Sequence, residues 1–133
     1  MRAAGAGRVP AGGVGGIGIG LVALRGEGPN AELVGLARLA VDPDDIAGEF
    51  AILVHPSARR RGVGRLLMER LLSDCRRRGL RLVRSAALPR NRAMLALARG
   101  CGFQLLPAAD GTVELVMALS SGGPSGAGMA VRR

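Results

Sequence analysis

One stretch constrains what this chain can fold into: residues 52–75, ILVHPSARRRGVGRLLMERLLSDC. It opens with Ile52, Leu53 and Val54, an apolar run rich in β-branched residues that suits a strand. Pro56 has no N–H to give a sheet ladder, so the strand ends at His55-Pro56-Ser57. Three arginines and the spaced glycines Gly62 and Gly64 follow. A helix then begins, because Val63, Leu67, Leu71 and Cys75 recur every four residues, with Leu66, Met68 and Leu72 beside them. The order is strand, basic glycine-bearing turn, helix. A helix N-terminus offers free N–H groups and the positive end of the macrodipole, which together favour an anion such as phosphate. Glycines there let a ligand approach the backbone closely. The turn is the expected ligand site.

The remainder of the chain supplies one domain around that unit. With 133 residues and 48% apolar residues, a single packed core is expected. Net charge is +9, and all 19 basic residues are Arg. That charge suits a phosphate-rich partner, a nucleotide cofactor or a nucleic acid; wholesale replacement of Lys by Arg explains it equally. Two Phe and no Trp or Tyr leave little to stack on bases, so no nucleic-acid partner is expected. The two cysteines, Cys75 and Cys101, fall on apolar helix positions and fit reduced thiols in a cytoplasmic protein. Two Cys and the single His55 are too few for a metal site, and no apolar run reaches membrane-spanning length.

Residues 1–20 are Gly/Ala-rich and predict a disordered leader. Within them Gly13-x-Gly15-x-x-Gly18 matches the dinucleotide fingerprint by chance, since neither a strand before it nor a helix after it is expected. Residues 21–24 and 32–41 predict two strands joined by a turn at 26–30, and a turn at Asp42-Pro43-Asp44-Asp45 leads to a third strand at 47–54. The main helix spans 62–78, with Arg76, Arg77 and Arg78 at its C-terminal end and Gly79 as the residue after it. Residues 80–88 form a strand parallel to 47–54, because a helix joins them. Asn91 caps a second helix ending near Gly102, and residues 103–106 and 112–119 close a hairpin about Asp110-Gly111. The domain covers 21–119, and 120–133 reads as a disordered tail.

Arg59-x-x-Gly62-x-Gly64 after a strand resembles the acyl-CoA loop of the GNAT superfamily of N-acetyltransferases. GEFAILV before it, LLMERLL after it and NRAMLALARGCGF downstream strengthen the resemblance, which covers residues 21–119. It is nearest to the acetyltransferase domain of bacterial protein-lysine acetyltransferases. It implies an α/β GNAT-like fold, a mixed central sheet with helices on both faces. The front helices that ordinarily wall the acceptor site have no counterpart in the glycine-rich leader, so the acceptor half is expected to be short.

The same resemblance implies acetyl-CoA as co-substrate, an amine acceptor (a protein lysine or a small molecule) and no metal. It assigns Glu49 as the base that deprotonates the amine. Leu53 and Val54 would offer backbone groups to the pantetheine arm. Arg59, Arg60, Arg61, Gly62, Val63, Gly64 and Arg65 would surround the pyrophosphate, and Asn91 would reach the cofactor as well as cap its helix. A homodimer or a larger partner stays open. The Tyr that many members use as general acid would fall at Ala98, and this chain has no Tyr. A truncated, non-catalytic acetyl-CoA-binding or regulatory module is the alternative to an enzyme.

Overall fold

The computed structural model describes residues 2–10 and 17–119. Among them seven strands form one sheet: β1 (Arg2–Pro10), β2 (Ile17–Arg25), β3 (Glu32–Val41), β4 (Ala47–Val54), β5 (Leu82–Ala87), β6 (Gln104–Pro107) and β7 (Val113–Ala118), in the order β1-β2-β3-β4-β5-β7-β6. Helix α1 (Val63–Arg78) connects the parallel pair β4–β5, and α2 (Arg92–Gly100) connects β5 to the β6–β7 hairpin. All other pairings are antiparallel. The mixed sheet of the resemblance is therefore the fold observed.

The leader reading is corrected. Arg2–Pro10 pairs with β2, from Arg2 opposite Leu24 to Pro10 opposite Ile17, and β2 begins at Ile17 rather than at 21. A ladder uses backbone N–H and C=O groups, which Gly and Ala supply as well as any residue. Their small side chains only weaken the signal by which a strand is recognised in sequence. Gly13 and Gly15 lie outside the described residues. A strand does precede them, but β2 follows where a dinucleotide turn needs a helix. The tail reading at 120–133 also lies outside the described residues.

Register explains why one sheet face is covered. Ala23, Gly35 and Val54 share a row, as do Leu21, Ala37 and Ile52, and Ile19, Leu39 and Phe50. Nearly all of these are buried, Val54 partly so, and α1 lays Val63, Leu67, Met68, Leu71, Leu72 and Cys75 into the same core. Burying each Leu or Met contributes about 2 kcal/mol. A Cβ on Gly35 would stand 2.9 Å from both Leu67 Cδ1 and Val63 Cγ1, so the glycine lets α1 lie close against β3. Phe103, just after α2, meets Phe50 of that face with ring centroids 5.3 Å apart.

Both helices thus lie on one face. The expected cover on both faces is not found among the described residues. The opposite face carries Leu36, Arg38 and Ala40 of β3 beside Glu49, Ala51 and Leu53 of β4, and all but Leu36 are exposed.

The ends of the elements follow local chemistry. Gly79 takes φ +86° after α1, and the N–H of Leu80 reaches Cys75 O at 3.1 Å, which closes the last turn. Asn91 Oδ1 accepts from the Met94 N–H at 3.2 Å and caps α2. In the hairpin, Asp110 Oδ1 accepts from the Thr112 N–H at 3.0 Å and from its hydroxyl at 2.6 Å.

Candidate functional site

The site is made where two neighbouring strands part. β4 and β5 pair only at Ala47, Gly48 and Glu49 with Leu82, Val83 and Arg84. Beyond Glu49, β5 continues to pair with β7 while β4 stays paired with β3 alone as it runs toward the α1 turn. One bond crosses the opening, from Ser85 Oγ to Phe50 O at 2.9 Å. A cleft therefore opens between two parallel strands, with a helix N-terminus at the end of one of them.

Parity decides which backbone groups line the cleft. The His55 N–H reaches back to Val34 O of β3 at 2.8 Å, and Asp42 N–H reaches Ala47 O at 2.9 Å, so odd-numbered residues of β4 turn their polar groups toward β3. Phe50 O faces β5, as the Ser85 bond shows. Even-numbered residues thus face the cleft, which brings Ile52 and Val54 into the site. Leu53 is corrected: its N–H and C=O point to the β3 ladder, and its side chain is 69% exposed on the open face. The alternation was readable only once register was known.

The turn before α1 is unusual in conformation. Arg60 has φ +64° and Gly62 has φ +81°. A left-handed non-glycine residue costs roughly 1–2 kcal/mol and persists only where the surroundings fix it. The entry to the turn is fixed: the His55 ring Nδ1 accepts from the Ser57 N–H at 3.1 Å, and Ala58, wholly buried, donates its N–H to His55 O at 2.9 Å. Left-handed Gly62 followed by helical Val63 turns consecutive N–H groups to one side, a concavity suited to an anion. Leu66 is the residue whose N–H first reaches back, to Gly62 O at 2.9 Å, so the N–H groups before it lack an intrahelical partner. Arg59, Arg60 and Arg61 are exposed and form no ion pair among the described residues.

Other expected members of the loop have different surroundings. Val63 is 1% exposed, so only its backbone can serve a ligand. A Cβ on Gly64 would stand 3.2 Å from Leu97 Cδ2 and 3.8 Å from Val54 Cγ2, which makes this glycine the close approach between α1, α2 and β4. Arg65 pairs with Glu69 at 3.0 Å and lies along the end of α2 near Gly100. Asn91 spends its Oδ1 on the cap of α2, leaving its amide N–H groups.

Glu49 stands at the last paired rung before the opening, exposed on the open face, with Ala40 and Arg84 as its cross-strand neighbours. Ala98 is wholly buried and gives no proton donor. Burial pushes the Cys75 thiol up to about 11, and burial likewise raises Cys101, so both are poor nucleophiles near neutral pH. Among the described residues no three His, Cys, Asp or Glu side chains gather into a group that could hold a metal.

Comparison with known proteins agrees with this geometry. The sequence model of the acetyltransferase (GNAT) family matches residues 19–103, and the chain belongs to that family. The GNAT domain of S. lividans PAT superposes with a TM-score of 0.67 at 25% identity, over 77% of this chain and 61% of that one. A phosphinothricin acetyltransferase from Sinorhizobium meliloti, solved in complex with AcCoA, gives a TM-score of 0.67 at 23% identity over 81% of this chain and 64% of that one. Mycothiol acetyltransferase of Saccharomonospora viridis is 47% identical over 53 residues, 39% of this chain. The chain spans 17% of that protein's length.

Proposed function

We propose that this chain transfers an acetyl group from acetyl-CoA to an amine, with a protein lysine as the acceptor. The observation that carries the reading is the parting of β4 and β5 beside the α1 N-terminus, with Glu49 at the rung where they separate. Acetyl-CoA supplies the thioester, and its thiol is the leaving group. The turn fits its phosphates: free N–H groups at Gly62, Val63 and Gly64 provide donors, and Arg59, Arg60 and Arg61 add positive charge. The cleft-facing groups of Ile52 and Val54 hold the extended arm as an added strand would, and Asn91 contributes its amide. The lysine acceptor rests on the resemblance to protein-lysine acetyltransferases, and two free cysteines accord with a cytoplasmic setting.

Glu49 does the proton work. A lysine amine is neutral in only about one molecule in 2,500 at pH 7, so a base must take its proton before the lone pair can attack. Glu49 is exposed, stands beside the cleft and accepts that proton directly or through one water. An N–H of Ile52 or Val54, left without a sheet partner, steadies the oxyanion that forms on the carbonyl. The C–S bond then breaks and the thiolate takes a proton from solvent, since Ala98 offers none.

A non-catalytic acetyl-CoA-binding module is the second reading, favoured by Ala98 and by the open face above Glu49. One experiment separates the two. Acetyl-CoA binding is measured by calorimetry, and thiol release is followed with N-acetyl-lysinamide as acceptor. Glu49→Gln should bind acetyl-CoA as the native chain does but turn over ~10²-fold more slowly, with partial recovery at higher pH. Binding without turnover in the native chain selects the module. Equal turnover of both proteins removes Glu49 from the chemistry.

A further inference from the structure

The carboxylate next to Glu49 that draws most on its surroundings is Asp42, in the turn between β3 and β4. Asp42 and Arg84 lie 42 positions apart and meet side by side: Arg84 Nη1 donates to Oδ2 at 3.2 Å and Nη2 to Oδ1 at 3.0 Å. Both side chains are about two-thirds covered. Arg84 is also the cross-strand neighbour of Glu49 on the same sheet face, at the last rung before the strands part. Yet Glu49 forms no ion pair among the described residues. Two carboxylates flank one guanidinium, and Asp42 holds both of its terminal nitrogens.

We propose that Asp42 and Arg84 are a positioning pair that keeps the Glu49 carboxylate free to accept a proton. The proposal rests on the reading of Glu49 as base. A guanidinium hydrogen-bonded to Glu49 would occupy its lone pairs and lower its proton affinity, which is the property a base needs. Anchored by a bidentate bond, Arg84 lends Glu49 its charge through space but not its N–H groups. The hydrogen bond it donates to Asp42 is also the main reason the Arg84 guanidinium holds its proton more tightly than usual, with the charges of Asp42, Glu49 and Asp44 adding to it. The other cation beside Glu49 is Arg38, which forms no ion pair among the described residues. β3 places Ala40 across from it and exposed Arg38 on the diagonal, and β7 places Val116 beyond Arg84 in the same row.

The two single variants move Glu49 in opposite directions through charge. A merely structural tie between the turn and β5 differs in the double variant, which lacks the tie and would then not recover turnover. Asp42→Asn releases Arg84 to the neighbouring carboxylate and removes a negative charge, so the Glu49 titration midpoint falls by about one pH unit. Arg84→Met removes the cation and leaves Asp42 uncompensated, so the midpoint rises. The double variant restores charge balance and returns it near its native value. In the full 133-residue chain, ¹³C NMR of the Glu49 carboxyl reads these midpoints. Turnover of N-acetyl-lysinamide at pH 7 should fall about tenfold in Asp42→Asn and recover in the double variant. Midpoints that shift the same way in both single variants, or a double variant no better than Asp42→Asn, would overturn the proposal. Because the midpoints need no turnover, an active Glu49→Gln variant would defeat the base reading while the titrations still judge the pair.

Discussion

The two faces of the sheet have different tasks. On the covered face, Leu21, Ala37, Leu39, Phe50 and Ile52 meet α1, and their side chains are fixed by shape. On the open face, Arg38, Glu49, Ala51 and Leu53 touch little, and what matters there is charge and access. The same strand β4 serves both: its even residues supply core side chains and cleft-facing backbone, while its odd residue Glu49 supplies the candidate base. A strand buried on one side can carry chemistry on the other because its side chains alternate. Stability and catalysis should therefore separate by residue parity.

The sharpest way to break this contrast is a matched pair of truncations. Leu67→Ala, at a fully buried position of α1, should destabilise the fold by about 2–5 kcal/mol in urea titration. Leu53→Ala, on the open face, should change stability by less than about 0.5 kcal/mol. Similar losses at both positions would show that the open face is covered in solution.

A second test uses the thiol buried under the covered face. Cys75 ionises at about 11 when folded, against the ordinary 9.0, because burial and the neighbouring Asp74 charge both oppose the thiolate. The unfolded chain therefore releases this proton first as pH rises. Stability from this group is intact below pH 9 and is lost between pH 9 and 11, by about 2–3 kcal/mol. Cys75→Ala should flatten that part of the alkaline stability profile, whatever its effect at neutral pH. An unchanged alkaline slope would argue that the thiol is reachable by water.

Two glycines sharpen the comparison at smaller scale. Gly35→Ala puts a methyl against Leu67 and Val63 on the covered face, and overpacking there should lower stability by about 1–3 kcal/mol. Gly62→Ala meets nothing within 4 Å, so its effect comes from φ +81° alone, about 1 kcal/mol. Gly62→Ala should also weaken acetyl-CoA binding, whereas Gly35→Ala should not beyond its effect on folding. Calorimetry beside thermal melting separates the two; a binding loss shared equally by both would detach the anion concavity from Gly62.

What the sequence determined by itself was local. The four-residue spacing of Val63, Leu67, Leu71 and Cys75, the break at Pro56, the cap at Asn91 and the stop at Gly79 each act within a turn or two, so residue order is enough to read them. The arginine- and glycine-bearing turn could be placed before α1 for the same reason. Only the tertiary structure decided that β4 and β5 part after Glu49, that Ile52 and not Leu53 turns its backbone to the cleft, and that Gly64 faces Leu97. It also decided that Arg65 turns to Glu69, that Asp42 takes Arg84, and that Arg2–Pro10 joins the sheet. Each of these depends on register or on an approach between separate elements. Such facts are set by which backbone groups find partners and how closely helices can pack, and no periodicity within one segment records them.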